Sequence, residues 1–298
     1  MTQRFSIVIF ATFAFYSGLG QHKEVAITID DVPNIHIYKA AGFSSSLLTQ
    51  VVDMKLPVAI FINERNLHLN EFEKENRQGL AKWLTSKNII AGNHSYSHMN
   101  YSDVTLDAFK EDVTKGSVIT KEIIKKNPRY FRFPFNSMGK DSAAHYQVKA
   151  FIKELGYINT PFTIESEDWI FSSSYEVALK NNDTEKAQQI AEAYLTHTLD
   201  LFTHFEKICH ELYGRNIKHI YLCHDNQLNT DHLAELIKRL KHHGYSFISL
   251  DEALKDKIYQ SKDHYTGRFG FSWVYRWQAD ETKRKSLMKQ EPVNDYLK

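Results

Sequence analysis

The stretch VAITIDDVPN, residues 25–34, decides how the rest of the chain is read. Its opening run from Val25 to Ile29 suits a buried strand, yet it ends on two adjacent carboxylates, Asp30 and Asp31. Neither acid gains from burial, and side by side the two repel. A bound cation resolves the conflict by offsetting the repulsion. Neighbouring side chains on an extended segment point different ways, so one acid can hold the ion while the other faces a substrate water. Asp-Asp before Val-Pro also suits a turn or a helix N-cap, so the reading needs support from elsewhere in the chain.

The 298 residues suffice for one large α/β domain or two small ones. Lys and Arg (37) nearly cancel Asp and Glu (36), and no basic run occurs, which excludes the phosphate-neutralising footprint of a nucleic-acid binder. Residues 1–20 carry a lone Arg4, an apolar run from about Phe5 to Tyr16, and the small residues Ser17, Gly18 and Gly20. This is a secretory signal pattern, too short to span a bilayer comfortably. It predicts cleavage near Gly20 and an exported product, periplasmic or extracellular, without stable membrane insertion; an uncleaved anchor is the alternative. Cys209 and Cys223 could pair in an oxidising compartment but are expected to be separate buried thiols.

Short β-rich runs near 25–29, 58–62, 89–91, 130–133, 220–223 and 247–250 alternate with helical periodicity near 45–54, 71–86, 104–126, 142–155, 174–212 and 230–242. Such alternation predicts a parallel sheet, open or closed into a barrel. No linker-like tract splits the chain, so 21–256 is expected to be one domain and the aromatic-rich 257–298 an extension packed on it.

In parallel α/β folds ligands bind at the carboxyl ends of strands, so polar residues at expected strand ends should converge. In AGNHSYSHMN, residues 91–100, His94 and His98 follow the strand near 89–91. On a helical turn their spacing puts both imidazoles on one face. With Asp31 they would make a three-ligand site with positions left open, a catalytic pattern. Zinc is the natural ion, and cobalt, nickel or manganese could replace it. In YFRFPFNS, residues 130–137, Arg132 interrupts an apolar strand and needs a carboxylate partner unless it points outward from an edge. ESEDWI, residues 165–170, offers Glu165, Glu167 and Asp168 beside Trp169; alone it reads as acidic surface with a core Trp. HIYLCHDN, residues 219–226, ends a hydrophobic strand on His224, placed for proton transfer if a carboxylate sets its pKa.

Taken in order, TIDD (28–31), HSYSH (94–98), RFPF (132–135), DW (168–169) and LCH (222–224) resemble the five motifs of the polysaccharide deacetylases, the family-four carbohydrate esterases with the NodB homology domain. The resemblance covers roughly residues 24–254 and is far more specific in combination than any one motif. It implies an α/β fold, a distorted (β/α) barrel with seven parallel strands, and metal-dependent removal of N-acetyl groups from an amino-sugar glycan. By the same resemblance Asp31, His94 and His98 hold the metal and Asp30 is the general base. Arg132 orients Asp30, the backbone N–H of Phe135 helps stabilise the oxyanion, and His224 is the general acid. Asp168 tunes His224, while Trp169 and Leu222 line the groove for the acetyl methyl. Two positions depart from the family pattern: Val32 and Asn136 stand where Gly is common, and Val32 is expected to alter the turn at the metal. Two alternatives remain open: an amidase or esterase acting on a non-glycan acyl substrate, and a catalytically silent carbohydrate-binding protein.

Overall fold

The computed structural model describes residues 22–297, so the signal pattern of residues 1–20 and its cleavage site lie outside the described residues. In chain order the elements are β1 (Lys23–Val32), α1 (Ile35–Ala40), α2 (Ser46–Asp53), β2 (Val58–Ile62), α3 (Glu73–Thr85), β3 (Ile89–Asn93), α4 (Leu106–Lys115), α5 (Val118–Ile124), β4 (Tyr130–Phe131) and α6 (Ser142–Glu154). They continue with β5 (Ile158–Asn159), β6 (Ile164–Glu165), α7 (Asp168–Lys180), α8 (Thr184–Tyr213), β7 (Lys218–His224), α9 (Gln227–His242), β8 (Tyr245–Phe247), α10 (Leu250–Ala253), α11 (Trp273–Arg276) and α12 (Glu281–Met288).

Every strand pairing is parallel. The path runs β5-β4-β3-β2-β1-β7-β6, seven strands curled into a distorted half-barrel, and among the described residues β5 and β6 do not pair to close it. The eighth strand, β8, joins only the first residues of β1, Lys23 to Val25. Glu24 and Val25 pair with β7 as well, so β8 takes the other edge of β1, below β2.

The sheet is buried on both faces, which is why its central strands read as near-continuous apolar runs: Val58 to Ile62 is buried throughout, and so is Val25 to Asp30. Side chains from β1, β2, β7 and the flanking helices make one large apolar core. Cys209 and Cys223 are buried free thiols within it.

Several elements differ from the periodicity. The helix expected over 104–126 is two, α4 and α5, broken at Gly116 and Ser117. A Cβ at Gly116 would overlap the backbone of Ser95 and Tyr96, so the break lets that loop pack closely. The region over 174–212, whose pattern leaves room for a break, is two helices, and it differs in that the first begins earlier, at Asp168. The strand expected over 130–133 stops at Phe131, opposite Asn93 and Asn159, where the neighbouring strands β3 and β5 also end. The last strand ends at Phe247, and Leu250 opens α10 instead. Among the described residues no helix is long and apolar enough to cross a membrane.

Candidate active site

The carboxyl ends of β1 and β7 bring the first and last motifs together, since Asp30 and His224 are partners in the parallel ladder. The β1–β2 register shifts between Ile29 and Val32, a bulge that turns Asp31 out of the strand at φ 63°. The turn is therefore made at Asp31, whose short polar side chain tolerates the left-handed region, and not at Val32, which stays buried in β1. Asn34 caps α1 and ties this exit to the end of β7: its backbone N–H donates to Asp225 Oδ2 at 2.7 Å and its Nδ2 to the Asp225 carbonyl at 2.9 Å.

One ligand atom from each of Asp31, His94 and His98 lies within 4.8 Å of the others. Asp31 Oδ1 is 3.4 Å from His98 Nε2 and 3.7 Å from His94 Nε2. The Arg132 carbonyl can only accept, so His94 Nδ1, 2.8 Å away, carries the proton and leaves the Nε2 lone pair facing Asp31. Burial, reinforced by neighbouring His98, pushes His94 down to about 3, which keeps it the neutral imidazole that ligates metals. Asp31 Oδ1 is buried without a hydrogen-bond partner. An orphaned carboxylate oxygen beside two imidazole nitrogens is a donor set that fits a divalent cation.

The histidine loop is not helical. Residues 94–100 form no regular element, and Ser95 and His98 sit at φ 63° and 58°. The shape is held from outside: Asn63 Nδ2 donates to the His94 carbonyl at 2.6 Å, Ser95 N–H donates to Asn93 Oδ1 at 2.8 Å, and Ser97 donates N–H and hydroxyl to Asp112. The two rings meet at 4.9 Å through this bracing, not through the spacing of a helical turn.

Behind the ligands Arg132 is wholly buried, which excludes the outward-facing reading. Its Nη1 donates to Asp30 Oδ1 at 2.8 Å and to Thr28 Oγ1 at 2.7 Å, and its guanidinium lies 4.3 Å from the Phe61 ring centroid. Asp30 Oδ2 lies 3.6 Å from His94 Nε2, so this acid links the arginine to the ligand cluster.

On the other flank His224 Nδ1 and Asp168 Oδ1 are 2.7 Å apart. Asp168 Oδ2 accepts from the His224 N–H at 2.9 Å, Asn226 Nδ2 at 2.8 Å and Asn229 Nδ2 at 2.6 Å. Burial alone would lower the His224 pKa, but Asp168 outweighs it and the imidazole is raised to about 10. His224 is therefore a cation at neutral pH, with Nδ1–H committed to Asp168 and Nε2–H available.

A cleft of about 480 Å³ opens over this arrangement, lined by Asp31, His98, Trp169, His224 and Asp225 among others. Trp169 is 58% exposed at its rim. Leu222, expected in the acetyl groove, is only 1% exposed and is not among the lining residues, because it lies within the β7 ladder opposite Thr28 and Glu165. Phe135 sits at φ 56° with its ring centroid 4.6 Å from that of His98.

The sequence reading missed Asp225, Asn226 and Asn229, although Asp225 and Asn226 follow directly on the histidine it singled out. Burial, with Asp31 adding to it and the Asn34 N–H opposing, raises Asp225 to about 6. Nor is Glu165 a solvated acid: burial first, then Asp168, raises its carboxyl to about 8.

Residues 18–156 match the family model described as polysaccharide deacetylase. The chain is 24% identical over 154 residues, 52% of this chain and 49% of the relative, to a peptidoglycan-N-acetylglucosamine deacetylase of Bacillus cereus. Over 249 residues, 82% of this chain and 76% of the relative, it is 23% identical to the peptidoglycan-N-acetylmuramic acid deacetylase PdaA of Bacillus subtilis. A solved structure of a CE4 family pseudoenzyme from Bacillus anthracis shares the fold, with TM-score 0.52 and 19% identity, covering 78% of this chain and 66% of that one.

Proposed function

The chain belongs to the polysaccharide deacetylase family, and from that premise we propose that it is an exported, metal-dependent hydrolase removing N-acetyl groups from an amino-sugar glycan of the peptidoglycan or chitin type. The observation that carries the reading is the grouping of Asp31, His94 and His98 between two opposed, separately anchored charges, Asp30 on Arg132 and His224 on Asp168. The substrate class is suggested by the relatives' peptidoglycan amides. Export is suggested by the signal pattern of residues 1–20.

A divalent ion held by Asp31, His94 and His98, with zinc the natural choice and cobalt, nickel or manganese as substitutes, supplies Lewis-acid polarisation of the acyl carbonyl and a lower water pKa. Asp30, held by Arg132 and Thr28, takes the proton of the attacking water. His224, with Nδ1–H fixed on Asp168, donates its Nε2 proton to the departing amine as the amide C–N bond breaks. The Phe135 N–H is assigned to the oxyanion and Trp169 to the acetyl-bearing sugar at the cleft rim. The products balance as acetate and a free amine, with no acylated side chain required.

The pseudoenzyme neighbour means that fold alone does not carry turnover. The side chains do, since every catalytic position is filled. The test is acetate release from N-acetylglucosamine and peptidoglycan-derived oligomers with and without chelator. Release that stops on chelation and returns with a divalent ion supports the reading; no release from any N-acetylated oligomer contradicts it.

A further inference from the structure

Phe135 and Asn136 are consecutive non-glycine residues in the left-handed region, at φ 56° and 49°. Such residues persist only where the surroundings over-determine them, and here part of the surroundings comes from beyond residue 156, where the family match ends. Arg276, the last residue of α11, is wholly buried; its Nη1 donates to the Asn136 carbonyl at 3.4 Å and its Nη2 to Met138 Sδ at 3.3 Å. The same guanidinium lies 4.4 Å from the Trp273 ring centroid and is held by Asp263, with Nε to Oδ1 at 3.1 Å and Nη2 to Oδ2 at 2.5 Å. Gly270 lies against the same loop: a Cβ there would overlap the Phe135 carbonyl oxygen and crowd Asn136.

A buried ion pair is weak evidence for stability, because desolvation consumes most of the Coulombic gain; its better-attested use is to fix one geometry. The geometry fixed here is that of the loop whose phenylalanine ring packs edge-on to His98. We propose that residues 263–276 are a clamp on the Phe135–Asn136 loop, with Arg276 as a positioning residue that holds the wall of the site beside His98. The proposal rests on the deacetylase reading only in treating that wall as part of the active site.

The test is hydrogen–deuterium exchange on the full chain without substrate, comparing wild type with Arg276→Met. Peptides covering 134–138 exchange about tenfold faster in the variant while those of β1 and β3 do not change. Turnover of an N-acetylated oligomer falls by about 100-fold, more in kcat than in KM, with bound metal unaltered. Adding Asn136→Gly restores part of that loss, because glycine takes the left-handed conformation without a clamp. If Arg276→Met does not fold, Gly270→Ala displaces the loop directly and is held to the same local acceleration. Exchange at 134–138 that is unchanged, or that speeds up uniformly over the chain, overturns the proposal. Absence of acetate release from wild type would count against the deacetylase reading instead, and the exchange result would stand apart from it.

Discussion

Asp30 and His224 are ladder partners on adjacent strands, yet each is anchored to a different third element: Asp30 to Arg132 after β4, and His224 to Asp168 at the start of α7. Two opposite charges one strand spacing apart would otherwise pair and cancel. Separate counter-charges keep a carboxylate and a protonated imidazole side by side in one site, the condition for running base and acid catalysis in one turnover.

Replacing Asp30 tests this division directly. Asp30→Asn keeps the shape, and Asp31, His94 and His98 remain to hold the ion. The expected result is unchanged metal content with kcat lowered by about 100- to 10,000-fold, read by elemental analysis and steady-state acetate release. Full activity would remove Asp30 from the mechanism.

The acid should respond to Asp168. Burial lowers the His224 pKa and Asp168, with smaller help from Asp31 and Asp30, raises it to about 10, so in Asp168→Asn the main raising influence is lost while burial persists, and the pKa falls. The alkaline limb of kcat/KM then moves to lower pH, by about 1–3 units. Stability carries the same sign. The His224 contribution is fully present below the ordinary value of 6.5, is lost as pH rises through about 10, and is smaller in the variant. A pH–rate profile with an unmoved alkaline limb would show that His224 is not the proton donor.

Glu165 offers a check on stability alone. Its carboxyl is raised from 4.5 to about 8, so the folded chain holds a proton there that the unfolded chain releases at lower pH. Its contribution is fully present below 4.5 and lost as pH rises through about 8. Glu165→Gln, neutral at every pH, is therefore expected to raise Tm relative to wild type more at pH 9 than at pH 5. Equal shifts at both pH values would place the carboxyl in ordinary solvent.

The fold was legible where strands are long and doubly buried. Val58 to Ile62 has the bounds its apolar run suggests, and β1 overruns its run at both ends, where Lys23 and Glu24 pair with β7 and β8 and where Asp30 and Asp31 continue the chain into the bulge. Strands β5 and β6 have two residues each, too few for periodicity to register, and tertiary pairing alone defines them. The polar strand ends were readable because charge in an apolar run is conspicuous, and the structure brings Asp30, Asp31, His94, His98, Arg132, Asp168 and His224 into one region. How they converge was not readable. His94 and His98 meet through a loop braced by Asn63, Asn93 and Asp112, partners distant in sequence or unremarkable in type. Arg276 lies 140 residues from the Asn136 carbonyl it reaches, a contact no local pattern encodes.

The central claim is that Asp31, His94 and His98 together hold one divalent ion. Calorimetric titration of zinc into chelator-stripped protein tests it most directly. The account predicts a single saturable site per chain in wild type, retained in Asp30→Asn and lost or greatly weakened in His98→Ala. Wild-type protein that takes up no zinc, cobalt, nickel or manganese, or His98→Ala binding zinc as tightly as wild type, would contradict it.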